Sequence, residues 1–147
     1  MRTDFIDVYL IHTIQAGNWE DIKQLDVLSE YEKFRSEGLI GGIAFSYHGG
    51  HDTFKQVLDY YDWDMCQVQQ NMLDIDIEAT HQSIEDAGKK GCALVIMEPL
   101  KGGGLANMPP SVKGVDDNCV PDRNPVEWAF RHLIDSPHVS CILSGMT

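Results

Sequence analysis

Five short strand-like runs recur along the chain at intervals too long for hairpins, and that spacing constrains the fold more than any other feature. They are FIDVYLI (5–11), LIGGIAF (39–45), MCQVQQN (65–71), CALVIMEPL (92–100) and VSCILSG (139–145). Helix-like stretches fill the intervals. NWEDIKQLDVLSEYEKFRSEG (18–38) carries Leu25, Leu28, Tyr31 and Phe34 at helical spacing and reads as a helix ended by Gly38. HDTFKQVLDYYD (51–62) sets Phe54, Val57, Leu58 and Tyr61 on one side. The stretch from Ile77 to Lys90 reads as a helix whose end is marked by Gly88 and Gly91. Lys101 to Asn124 is Gly/Pro-rich and reads as loop. NPVEWAFRHLIDSP (124–137) reads as a helix with Asn124 as N-cap and Pro125 at its first position.

Strand, helix, strand, helix, with largely apolar strands, predicts a parallel sheet covered by helices. Each unit is roughly 25 to 45 residues, as βαβ units require. No G-x-G-x-x-G turn follows the first strand, which argues against a dinucleotide-binding doubly wound sheet. The expectation is one domain, residues 1–147: an α/β partial (β/α)8 barrel of about five parallel strands.

The polar residues fall in a pattern that suits this architecture. The first run stops at His12, the second at Ser46, Tyr47 and His48, and the third carries Gln67, Gln69 and Asn71. The fourth ends in Met97, Glu98 and Pro99, and the fifth in Ser144, Gly145 and Thr147. In a parallel barrel these ends share one face, the face that holds the active site. His12 is therefore expected at the mouth of a barrel. The alternatives are plainer: a surface histidine, amides that satisfy strand ends, and a flexible KGGGL loop at residues 101–105. His48 and His51 have a spacing that suits a metal but no third ligand nearby in sequence, so no metal site is expected.

With 11 Lys plus Arg against 23 Asp plus Glu, the formal net charge is −12. Such a surface does not suit nucleic acid or an anionic membrane. The cysteines Cys66, Cys92, Cys119 and Cys141 form no CxxC pair and are expected to be free thiols in a reducing compartment. With no apolar leader and no run of membrane-spanning length, the expected location is the cytoplasm.

Five segments in register resemble the aldo/keto reductases. DFIDVYLIH resembles that family's strand-and-histidine motif, and EGLIGGIAFS its G-x-I-R-x-I-G-x-S strand. CQVQQN resembles Q-V-x-Y-N, and VIMEPLKGGGL resembles Y-S-P-L-x-x-G. NPVEWAFRHLIDSPHVSCILSGMT resembles the helix and last strand before the nucleotide's phosphate-binding loop. FSYH, MEPLKGG and LSGMT look most like a subgroup that often carries a ferredoxin-type iron–sulfur extension, which has no counterpart in these residues.

The resemblance implies nicotinamide-dependent reduction of an aldehyde or ketone, with NADP or NAD as cofactor. It implies that His12 orients and polarises the carbonyl. Ser46 and Gln67 would hold the nicotinamide carboxamide, and Met97 would stand where many members place an aromatic ring against the nicotinamide. Leu100, Lys101 and Gly102 would line the pyrophosphate, and Gly145 and Thr147 would open the loop that receives the adenosine phosphate. The match begins at the family's fourth strand and covers strands 4 to 8. The Asp, the Tyr general acid and the Lys of the first three strands have no counterpart, so the chain by itself is expected to be incomplete or inactive. Its first and fifth strands would be apolar, unpaired edges. The chain is therefore expected to self-associate or to pair with an N-terminal half. A non-catalytic half-barrel interaction module is the alternative.

Overall fold

The computed structural model describes residues 2–79, 81–107 and 123–143. Its elements are β1 (Ile6–Ile14), α1 (Trp19–Gln24), α2 (Val27–Ser36), β2 (Ile40–Tyr47), α3 (His51–Tyr60), β3 (Met65–Gln69), α4 (His81–Lys89) and β4 (Ala93–Met97). A short 3-10 turn (Gly104–Asn107) follows, then α5 (Pro125–Ile134) and β5 (Val139–Ile142). The strands form one parallel sheet in the order β1-β2-β3-β4-β5. Sequential parallel strands joined by helices make a partial (β/α)8 barrel.

The core lies between the sheet and the helices. Ile43, Phe45, Tyr47, Cys66, Val68, Leu94 and Ile96 are buried against Phe54, Val57, Leu58 and Ile84. Phe45 sits 4.7 Å from Trp63 and 5.9 Å from Phe54, ring centre to ring centre. Alternate residues point the other way: Met65, Gln67, Gln69, Ala93, Val95 and Met97 are only half-buried. That second face would line the inside of a closed barrel. The paired glycines of LIGGIAF have a steric reason. A Cβ at Gly41 would meet the Asp7 carbonyl oxygen at 2.7 Å, so glycine lets β1 and β2 approach.

Several boundaries differ from the sequence reading. The first strand continues past His12 to Ile14. The stretch 18–38 is two helices, because Asp26 takes a left-handed conformation (φ 51°) and leaves Leu25 exposed. Helix α4 starts at His81, not Ile77, and Gly88 lies inside it while Gly91 (φ 75°) follows its end. The third strand stops at Gln69. The Gly/Pro-rich loop contains the 3-10 turn, and its residues 108–122 lie outside the described residues. Asn124 caps α5 as its type predicts, with its side-chain oxygen accepting from the Glu127 N–H at 2.9 Å.

At the amino ends of the strands, Arg35 bridges Asp64 (2.5 Å), and Asp64 also accepts from the Ile43 N–H. The Tyr61 hydroxyl donates to Glu32. Burial and then the Glu32 carboxylate push the Tyr61 phenol up to about 12. Its contribution to stability is complete below pH 10 and is lost as pH rises toward 12. We expect one tyrosinate absorbance step near pH 12 that Tyr61→Phe abolishes; five tyrosines all ionising near 10 would refute it.

Candidate active site

Ile11 and Ile14 are both buried in the core, yet an odd spacing of three cannot put two side chains on one face of a regular strand. The strand solves this with a bulge. Ile11 pairs with Phe45 and Ile14 with Tyr47, so His12 and Thr13 together oppose the single residue Ser46. Thr13 takes the positive φ of 56°, and the Ser46 hydroxyl oxygen accepts its N–H at 2.7 Å. Bulges re-aim side chains beside active sites. The bulge returns Ile14 to the core face, while His12, next to buried Ile11 on this edge strand, faces the opposite side and is exposed.

From His12 a polar row crosses the sheet near its carboxyl ends. Ser46 is the register partner of Gln67. The Gln67 amide nitrogen lies 3.4 Å from the Met97 sulfur. Thioether sulfur is a weak acceptor, so Gln67 holds a donor that a better acceptor can claim. Ser46 is 1% exposed, and its oxygen is already committed to Thr13, but the hydroxyl proton can still be donated. Four of the sequence-predicted residues, His12, Ser46, Gln67 and Met97, are thus brought into one row.

The next three are brought to its flank. After β4, Lys101 (φ 51°), Gly102 (φ 62°) and Gly103 (φ 86°) turn back toward the loop that follows β3. The Lys101 ammonium binds the Asp74 carboxylate at 2.5 Å. Asp74 is 4% exposed, and the Asn71 amide donates to it at 3.0 Å. The Asn71 side-chain oxygen in turn accepts from the N–H groups of Leu73 and Asp74. Lys101 first, then Asn71, hold the Asp74 carboxyl below the usual carboxylate range. Leu100 is half-buried beside this turn. Gly145 and Thr147 lie outside the described residues.

The sequence reading missed Asp74 and the clamp that Glu98 makes on the loop, with its carboxylate accepting from the Gly102 N–H at 2.6 Å. The signal for the first was NxxD, an Asn able to turn the backbone so that an acid three residues later is buried. The two histidines with metal-like spacing, His48 and His51, do not converge on a metal. His48 meets Glu78 at 3.2 Å, and His51 meets Ser83 at 3.0 Å and Asp86 at 3.6 Å. Among the described residues no group of three or more His, Cys, Asp or Glu side chains could hold a metal ion. Cys66 and Cys92 are buried free thiols and Cys141 is an exposed one, while Cys119 lies outside the described residues. A groove of about 670 Å³ runs between α1 and α3, but its lysines are taken, Lys23 by Glu20 and Lys55 by Asp59. No helix among the described residues is long and apolar enough to cross a membrane.

The architecture has close parallels. An aldo-keto reductase from Bacillus halodurans, AKR11C1 in its holo form, superposes with a TM-score of 0.78 at 19% identity, over 99% of this chain and 50% of that one. An aldo/keto reductase from Klebsiella pneumoniae, solved in complex with NADP and acetate, gives 0.72 at 16% identity, over 98% and 50%. An aldo-keto reductase from a Medee basin deep-sea metagenome library gives 0.67 at 19% identity, over 99% and 51%. The chain spans about half the length of these solved relatives. A search of the curated proteins gives no significant match. The profile of the Aldo/keto reductase family matches residues 1–146. The order of five parallel strands agrees with this profile, and the chain belongs to the aldo/keto reductase family.

Proposed function

We propose that the chain forms the nicotinamide-facing side of an oxidoreductase that uses NADP or NAD to reduce an aldehyde or ketone. The observation that carries this reading is the row His12, Ser46, Gln67, Met97 across four neighbouring strand positions. The residues suit the cofactor. Gln67 offers a carboxamide whose donor is spent only on a sulfur, and an amide is matched by another amide. Ser46 offers a hydroxyl proton beside it. Met97 presents a polarizable, adaptable surface where a flat ring can pack. By family resemblance Leu100, Lys101 and Gly102 are assigned to the pyrophosphate, and Gly145 and Thr147 to the adenosine phosphate.

The bound nicotinamide would supply a hydride to the carbonyl carbon. The protein's part is orientation, a polarising contact and a proton for the developing alkoxide. His12, exposed on its bulge, would orient and polarise the carbonyl oxygen. The family's general acid has no counterpart among these 147 residues, and its loss costs roughly 10²–10⁴-fold in rate. Efficient turnover therefore requires a donor from a completing segment or partner.

A second reading is favoured by the edges. Among the described residues, β1 pairs only with β2 and β5 only with β4, and Phe5, Val8 and Tyr9 on or beside β1 are exposed. Open apolar edges support a half-barrel module that self-associates or pairs with another chain.

The test is a fluorescence titration of NADPH with sedimentation run beside it. We expect saturable binding that Gln67→Ala weakens about tenfold, the size of one good hydrogen bond. No binding by a folded chain of defined oligomeric state would refute the cofactor reading and leave the module in its place.

A further inference from the structure

The turn after β4 carries an anion seat, and the protein's own carboxylates occupy it. Lys101, Gly102 and Gly103 all have positive φ, a turn of the kind that gathers backbone N–H groups into a concavity attractive to anions. The Gly102 N–H points at the Glu98 carboxylate, 2.6 Å away. The one ammonium of the turn, on Lys101, is held by Asp74 at 2.5 Å. The Gly102 N–H and the Lys101 ammonium, two groups that could hold a phosphate oxygen, therefore each already face a carboxylate oxygen, its nearest chemical equivalent among side chains.

The two carboxylates are not alike. Asp74 is buried and further fixed by Asn71. Glu98 is exposed, and among the described residues its carboxylate accepts only from the Gly102 N–H, so it can swing into water. Glu98 also sits at φ 57°, a conformation costly for a residue with a long side chain.

We propose that Glu98 sets the affinity of this turn for phosphate: its carboxylate fills the seat at the Gly102 amide, and the pyrophosphate of a dinucleotide binds by displacing it. The proposal rests on the cofactor reading above and adds a competitor to it. Two anions cannot share one N–H, so the binding energy of the phosphate is reduced by what Glu98 gives up.

The experiment measures dissociation constants of inorganic pyrophosphate, NADPH and dihydronicotinamide riboside, which has no phosphate, for the native chain, Glu98→Gln and Glu98→Ala. Both substitutions are at an exposed side chain, and circular dichroism checks that the fold is kept. Both variants are expected to bind pyrophosphate and NADPH about tenfold more tightly, as for loss of one charge-assisted competitor at an exposed site. The riboside should bind all three proteins alike. Tighter pyrophosphate binding without any NADPH binding supports the seat and removes the cofactor reading. Equal NADPH and pyrophosphate affinity in all three proteins keeps the cofactor reading and overturns the role of Glu98. Weaker binding in the variants, or no pyrophosphate binding by any of them, overturns it as well.

Discussion

Phe45→Ala is expected to cost about 4 kcal/mol of folding stability, the usual range for truncating a buried aromatic being roughly 3–5 kcal/mol. Phe45 is 0% exposed and lies on β2, an inner strand paired on both sides. Its ring is wedged between Trp63, which follows α3, and Phe54 within α3. Trp63 cannot easily collapse into the space, because its indole N–H is tied to the Val57 carbonyl at 2.8 Å. Domains of this size are stable by only about 5–15 kcal/mol, so one such cavity removes a large share. The check is a urea titration beside Leu25→Ala, a change at a side chain 74% exposed that should stay within about 0.5 kcal/mol. A loss below about 1.5 kcal/mol for Phe45→Ala would mean that the sheet–helix core is not packed as described.

The sheet was legible in the sequence because its strands are short, largely apolar runs separated by helical spacing. Ile40 to Tyr47 shows this best, buried at every position except Gly41. The helix faces were legible from the spacing of their apolar residues: Phe54, Val57 and Leu58 are all buried. What periodicity could not show is where a regular pattern breaks. Leu25 fits the helical spacing of its neighbours, yet the αL residue Asp26 ends one helix and starts another, and Leu25 points to solvent. His12 was noticed for its position, but the bulge that it forms with Thr13 was not. That bulge is set by a long-range contact, Thr13 N–H to Ser46, which no local pattern contains.

The site divides the same way. Ser46, Gln67 and Met97 were legible because parallel strands bring their carboxyl ends to one face, and family resemblance supplied their roles. Asp74 was not. It follows Met72 and Leu73 in a stretch that reads as an irregular connection, and its burial depends on a lysine 27 residues away. Charge pairs of that kind are formed by the fold and have no period to read.

That pair gives the second large effect. Lys101→Met is expected to destabilise the chain by about 2 kcal/mol at pH 7 and by clearly less at pH 3. Removing one partner of a buried ion pair typically costs about 3–5 kcal/mol. Here the Lys101 side chain is 49% exposed and only the Asp74 side chain, at 6%, is enclosed, so the lower figure applies. In the native chain the Asp74 carboxyl is held below its ordinary 3.8, chiefly by Lys101. Its contribution is therefore present above pH 3.8 and is lost as pH falls through the depressed value. Without the ammonium the enclosed carboxylate keeps Asn71 but loses its main support, and its pKa moves upward. The penalty is then largest where Asp74 is charged and fades as acid neutralises it. Urea midpoints for both proteins at pH 7 and pH 3 decide the matter, since other carboxylates titrate equally in each. A difference that is the same at both pH values would assign the loss to the packing of the Lys101 stem. A difference clearly smaller in acid would establish that the turn bearing Lys101, Gly102 and Gly103 is fastened to the sheet by charge.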